Sequence, residues 1–399
     1  MPEKYSRIKI ALPLMNELEY LPVLMEALVA QDLQDFHVFT CVNQPDHWWD
    51  EPDQVHKCRN NQETIAYLHE FSHFNVHIID RSSRGQGWRG KDFGVGWARK
   101  TVMDAIDEQS DKNDLIVSLD ADTVFNPGYF SSLLESFNGQ PEAVAMAVPY
   151  YHPLVDDDEA NMAMLRYEVY MRNYNIQLMR IKSPYAFTAL GSAMVVTVWA
   201  YRAVGGMTPK KSGEDFYFLQ KLRKYGHVLV WNREKVYPGT RFSDRVFFGT
   251  GPAMIRGRAG DWSSYPVYHH SFFDDIRNTY DLFGNLFEDP GIRTPLDKFL
   301  KKTFGENNSW KPISENSRTR EQFIRACYQK LDGLRILQYL KASQADSGFT
   351  DTDCLHENYP GQLKDRSLDS LEDLCVIRDQ LAQMEEEYRQ NLKILKDSE

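Results

Sequence analysis

Four short apolar segments, each closed by a turn and separated from the next by a stretch of helical character, fill the first 120 residues and restrict the fold more than any other feature. Residues 7–12 end at Pro13, residues 36–42 end at Asn43-Gln44-Pro45, residues 75–80 run into a loop of Gly, Ser and Arg, and residues 115–119 run into Asp120-Ala121-Asp122. Between them, residues 21–28, 62–71 and 92–106 have the apolar spacing or composition of helices. Strands that alternate with helices are joined by crossovers and lie parallel, and ligands of such sheets gather at the carboxyl ends of the strands. Asn43, the 82–90 loop and the Asp120/Asp122 pair all fall at such ends.

Beyond Phe125 the alternation weakens. Residues 143–148 and 189–198 read as strands, and 159–180 as a long helix rich in aromatic residues and Met. From about residue 271 the chain reads as mainly helical. Over 369–395, Leu374, Ile377, Leu381, Met384 and Tyr388 recur at three- and four-residue steps, the stripe of a docked helix. The expected organisation is an α/β domain over 1–270 followed by a helical extension over 271–399.

Composition narrows the function classes. The 399 residues are 42% hydrophobic and 26% charged, ordinary for a chain that buries a large core, and a net charge of −11 weighs against an extended nucleic-acid groove. Five cysteines without a C-x-x-C pair argue against a disulfide framework or a structural zinc site. With no apolar run of transmembrane length and no signal-peptide core near the start, the reading is a cytoplasmic protein without a transmembrane segment.

The chemistry-bearing residues sit in four places. Two carboxylates one residue apart at a strand end, Asp120 and Asp122, suit a divalent cation bound through hard oxygen ligands; the same pattern is also common in plain turns. The 81–91 loop is basic and Gly-rich and lies ahead of a helix, which favours an anion near Arg84, Arg89 and Lys91. Glu214 and Asp215 open an amphipathic helix, where carboxylates also stabilise the helix dipole. Residues 237–245 and 249–251 form a basic, glycine-broken segment containing Arg241 and Arg245.

Pro13-Leu14-Met15-Asn16-Glu17, Gly90-Lys91, Asp120-Ala121-Asp122 and Gly213-Glu214-Asp215, in that order over about 7–250, resemble the GT-A glycosyltransferases, most closely family 2. The resemblance implies a Rossmann-like, mostly parallel central sheet with a mainly helical C-terminal region. It implies transfer of a sugar from a UDP- or GDP-sugar donor to a hydroxyl acceptor, whether glycan, lipid-linked or small molecule, with Mn²⁺ or Mg²⁺ as cofactor. Leu14 and Glu17 would then line the base and ribose pocket, Asn43 would meet the base, and Lys91 and Arg84 the phosphates. Asp122 would ligate the metal, and Asp120 would reach the ribose or the metal through water. Asp215, beside Glu214, would be the general base of an inverting reaction, while Arg241 and Arg245 close over the diphosphate. The chain departs from the family pattern in having Asn43 where an Asp is common and no His in the 237–251 segment; His269 is the nearest substitute as a further metal ligand. The helical extension would help form the acceptor site or a homodimer contact.

Three alternatives stay open at this stage. A retaining enzyme similar to mannosylglycerate synthase would share Gly90-Lys91-Asp92 and the helical extension, with Asp215 orienting the acceptor. A nucleotidyltransferase would carry a glycine-rich signature after the first strand, where this chain has Pro13-Leu14-Met15-Asn16. A catalytically inactive sugar-nucleotide-binding scaffold is opposed by the intact Asp120, Asp122 and Asp215.

Overall fold

The computed structural model describes residues 5–242, 250–305, 307–361 and 363–397. They divide into two compact units, one of residues 1–164 and 189–259 and the other of residues 165–188 and 260–399. The boundary falls inside the helix Asp158–Arg180, which hydrophobic periodicity reads as one uninterrupted element.

The first unit is built on a seven-stranded sheet. Its strands are β1 (Arg7–Leu14), β2 (Phe36–Asn43), β3 (Val76–Arg81), β4 (Asp114–Ser118), β6 (Ala145–Ala147), β7 (Met194–Thr197) and β8 (Val228–Leu229), in the order β3-β2-β1-β4-β7-β6-β8. β1 to β4 pair in parallel, as the helical crossovers require, and β7 runs antiparallel between β4 and β6. β1 is central and seven of its eight residues are buried, which is why it reads as a near-continuous apolar run. Pro13 does not end it: β1 continues to Leu14, with Pro13 opposite Cys41. A second, two-stranded sheet joins β5 (Val124–Phe125) to β9 (Val236–Tyr237).

Several boundaries move from their sequence expectations. The helix expected over 62–71 spans Val55–Glu70, and the one expected from Asp92 is Val95–Glu108. Gly94, at φ 115, holds a backbone conformation that other residues resist and so delays that helix. Gly90-Lys91 therefore forms a turn ahead of the helix and does not open it. The strands expected over 143–148 and 189–198 shorten to β6 and β7.

The second unit is helical. Phe283, Trp310 and Tyr328 pack ring against ring in its interior, and Trp310 and Phe323 are fully buried. In the helix Leu371–Asp397, the buried stripe runs from Leu374 through Ile377 and Leu381 and then continues through Glu385 and Arg389, with Met384 and Tyr388 only half-buried. Among the described residues no helix is long and apolar enough to cross a membrane.

Candidate functional site

The carboxyl end of β4 delivers Asp120 and Asp122 into a cluster of buried charge within the first unit. Arg99, from the helix Val95–Glu108, organises one half. Its Nη2 donates to Asp120 Oδ1 at 2.9 Å, its Nε to Glu214 Oε1 at 3.3 Å, and its Nη1 to Gly191 O at 3.0 Å and to Ser118 Oγ. Ser118 Oγ in turn donates to Gly191 O at 2.7 Å. A side chain at residue 191 would meet the guanidinium, since a Cβ there would lie 2.5 Å from Arg99 Nη2. Arg99 is fully buried; burial opposes its charge, but Asp120 and Glu214 more than offset this and raise its pKa.

Arg241 organises the other half. Its Nε donates to Asp122 Oδ2 at 2.6 Å and its Nη2 to Glu17 Oε1 and Oε2 at 3.1 and 3.0 Å, while the guanidinium lies 4.1 Å from the centre of the Tyr20 ring. The β5–β9 ladder accounts for this approach. Its antiparallel register pairs Val124 with Tyr237, so two further steps bring Gly239 opposite Asp122 and Arg241 into reach of the carboxylate. A Cβ on residue 239 would lie 3.0 Å from Asp122 Cβ. Burial raises the Asp122 pKa, Arg241 pulls it back, and neighbouring Asp120 pushes it up again.

Glu214 and Asp215 begin the helix Glu214–Tyr225 behind Gly213, whose φ of 70° a side chain would strain. They diverge in role. Glu214 is buried against Arg99, whereas Asp215 keeps partial exposure and accepts the Phe216 N–H at 2.7 Å. Desolvation, and then the like charge of Glu214, push the Asp215 carboxyl up to about 7.

Among the described residues, five carboxyl groups, those of Glu17, Asp120, Asp122, Glu214 and Asp215, thus meet two guanidiniums. Asp120 uses Oδ1 and Asp122 uses Oδ2 in their arginine bonds. Surplus negative charge and hard oxygen donors fit a Mg²⁺ or Mn²⁺ ion. Asp120 is the more open of the two, its side chain 34% exposed against 14% for Asp122.

The other expected residues are placed as follows. Leu14 is buried at the end of β1, and the turn after it carries Asn16 at φ 57, held by Asn61 Oδ1. Asn43 is buried with both ends of its amide engaged, donating to Leu14 O at 2.8 Å and accepting from Trp88 Nε1 at 3.1 Å. It fixes Trp88 against the end of β1. Arg84 is exposed and bound to Asp50 Oδ1 at 2.8 Å over the Trp49 ring, so it faces the 46–50 turn. Lys91 is exposed on its turn. The 82–90 loop is tied down where Asp46 Oδ1 accepts Gly85 N–H and Trp88 N donates to Gln44 O. His269 belongs to the second unit, where both ring nitrogens are engaged, with Ser271 and with Glu357. Arg245 lies outside the described residues.

Sequence reasoning missed Arg99. The signal was present: Arg99 shares a helical stripe with Met103 and Ile106, both fully buried, and a charge on such a stripe demands a buried partner.

Residues 115–274 match the glycosyl transferase family group 2 profile. Over that stretch, less than half of the chain, the sequence is similar to the family group 2 glycosyltransferases. The sheet order, with its parallel half and the reversed β7, is the GT-A architecture that the motifs implied. Among solved structures the chain is similar to TarS of S. aureus in complex with UDP-GlcNAc, at 12% identity and a TM-score of 0.41, covering 82% of this chain and 91% of TarS 1–349. It is also similar to the mannosyltransferase PcManGT of Pyrobaculum calidifontis in complex with GDP-Man and Mn²⁺, at 13% identity and a TM-score of 0.37, covering 96% and 88%. No curated protein matches the chain.

Proposed function

We propose that the first unit transfers a sugar from a nucleoside-diphosphate donor to an acceptor hydroxyl with inversion at the anomeric carbon. The observation that carries this reading is the unequal charge balance at the end of β4, where among the described residues five carboxyl groups meet two guanidiniums and one of the five, Asp215, is pushed up to about 7. Asp120 and Asp122 would hold a Mg²⁺ or Mn²⁺ ion, which when bound neutralises charge on a departing nucleoside diphosphate.

The chain's own residues supply the rest. Asp215, with a carboxyl at about 7, is matched to accept the proton of the attacking hydroxyl at neutral pH. The hydroxyl oxygen forms the new bond to the anomeric carbon as the bond to the phosphate oxygen breaks. The proton passes to Asp215 and then to solvent. Glu214 serves this step at one remove: held by Arg99, it keeps a like charge beside Asp215 and so holds its proton affinity up. Arg99 fixes Asp120 and Glu214 relative to each other through one rigid guanidinium. Arg241 clamps Asp122 against Glu17 at the end of β1, where the ribose and base would lie.

UDP- and GDP-sugars in a thermal-shift screen with and without Mn²⁺ identify the donor, because a ligand of the native state raises the melting temperature in proportion to its affinity. NMR of the product then reads the anomeric configuration. Inversion supports the base assignment, and retention assigns Asp215 to acceptor orientation instead.

A further inference from the structure

We infer that His269, His270 and Glu357 form a second metal site, for a borderline divalent cation such as Zn²⁺, built entirely from the helical unit. One ligand atom from each of the three lies within 4.8 Å of the other two. In a tetrahedral zinc site, ligand atoms about 2.0 Å from the ion stand about 3.3 Å from one another. His269 Nε2 and Glu357 Oε2 are 2.9 Å apart, and the Glu357 side chain is half exposed, so it needs to open by only a few tenths of an ångström.

The surroundings of both imidazoles match those of zinc ligands, whose second nitrogen is held by an oxygen of the protein. His270 Nδ1 lies 3.3 Å from Asp274 Oδ2, and Asp274 is itself fixed by Arg180 at 2.8 Å and Arg277 at 3.3 Å. That arrangement puts the His270 proton on Nδ1 and the lone pair on Nε2. His269 Nδ1 lies 2.7 Å from Ser271 Oγ. In the structure Nδ1 also accepts the Ser271 N–H at 3.3 Å; on metal binding His269 would exchange that capping bond for one donated from Nδ1 to Ser271 Oγ, so that Nε2 presents its lone pair to the ion.

The ligand-bearing segments are already pinned together. Asn358, next to Glu357, accepts the His270 N–H at 2.7 Å and donates to Tyr268 O at 2.8 Å. Phe349 stacks on His269 at 4.3 Å and shields one face. Two imidazoles and one carboxylate favour zinc or a similar ion over Mg²⁺ and Ca²⁺, and three protein ligands leave a fourth position for water. The ion would cross-link residues 269–270 to residue 357 and so stabilise the helical unit.

Chelator-stripped full-length protein titrated with Co²⁺ and then Zn²⁺ tests the site. The expected result is one equivalent of Co²⁺ with the intense visible absorption of four-coordinate cobalt, displaced by Zn²⁺, and a melting temperature raised by Zn²⁺. Glu357→Gln and His270→Gln, at exposed and half-exposed positions where the fold tolerates them, should each weaken Co²⁺ at least tenfold and remove the Zn²⁺-dependent shift. Asp122→Asn should keep both signals, which separates this site from the carboxylates at the end of β4. Absence of the four-coordinate spectrum from folded wild type, its survival in both histidine-site variants, or its loss in Asp122→Asn overturns the inference.

Discussion

The two units each bury a network of carboxylates and guanidiniums, and the networks differ in what they leave over. In the helical unit, Glu168 and Glu385 meet Arg172, Arg378 and Arg389. Arg172 reaches both carboxylates, Arg378 approaches Glu168 Oε2 at 3.6 Å, and Glu385 Oε1 accepts from Arg389 and Asn175 at 2.8 and 2.6 Å. Both oxygens of Glu168 and of Glu385 have a partner there, and with Asp379, which Arg378 Nε meets at 2.6 Å, three anions balance three cations. At the end of β4, among the described residues, five carboxyl groups meet two guanidiniums, and Asp215 is pushed up to about 7. A closed network fixes packing. An open one, with carboxylates crowded together, has the charge balance in which perturbed proton affinities arise.

The largest expected effect follows from exchanging one acid in each network. Asp215→Asn should lower transfer by about 10²- to 10⁴-fold, the usual scale for losing a general base, with donor affinity measured by calorimetry unchanged. Glu385→Gln should do the opposite, keeping turnover per folded molecule while lowering unfolding free energy in urea by about 3–5 kcal/mol, since two arginines lose their shared buried charge. If Glu385→Gln abolished turnover in folded protein, the division between a working network and a structural one would fail.

Arg99→Met sharpens the comparison because Arg99 is as buried as the arginines of the helical unit yet serves the open network. Removing it leaves Asp120 and Glu214 unpaired, so denaturant melts should show a loss of about 3–5 kcal/mol alongside the loss of transfer. Stability and activity should fall together here and separately in the two preceding variants.

The pH dependence is smaller and has a defined sign. The Asp215 carboxyl stands at about 7 in the folded chain against an ordinary 3.8, so kcat/KM should fall about tenfold per pH unit below 7. The folded state binds this proton more tightly than the unfolded state. The stability it contributes is therefore full below about pH 4 and lost as pH rises through about 7. Thermal melts at pH 5 and pH 8 should show Asp215→Asn gaining on wild type at the higher pH.

Gly239→Ala should have the smallest effect. A Cβ 3.0 Å from Asp122 Cβ displaces that carboxylate by a few tenths of an ångström. Donor affinity with Mn²⁺ should fall several-fold, read by calorimetry, with the melting temperature little changed.

What was legible in the sequence follows from the range of the interactions involved. The four parallel strands are apolar runs closed by local turn signals, so they could be read from neighbouring residues, and Asp120-Ala121-Asp122 and Glu214-Asp215 stood at element ends for the same reason. The pairing of Arg241 with Asp122 depends on a ladder of two-residue strands, Val124 opposite Tyr237 and Phe125 opposite Val236, too short for any periodicity to register. Arg99 declares itself only when its stripe is known to be buried. The helix Leu371–Asp397 was legible while its stripe was Leu374, Ile377 and Leu381. Past that point its inward residues are Glu385 and Arg389, and apolar spacing pointed instead to Met384 and Tyr388.

The central claim is that the open network at the end of β4 seats a cation and, through it, a sugar-nucleotide donor. Isothermal calorimetry of the preferred UDP- or GDP-sugar into wild type and Asp122→Asn, with Mn²⁺ and with chelator, tests it directly. Donor binding that requires Mn²⁺ in wild type and is lost in the variant is the predicted result; equal affinity in the two proteins with Mn²⁺ present would contradict it.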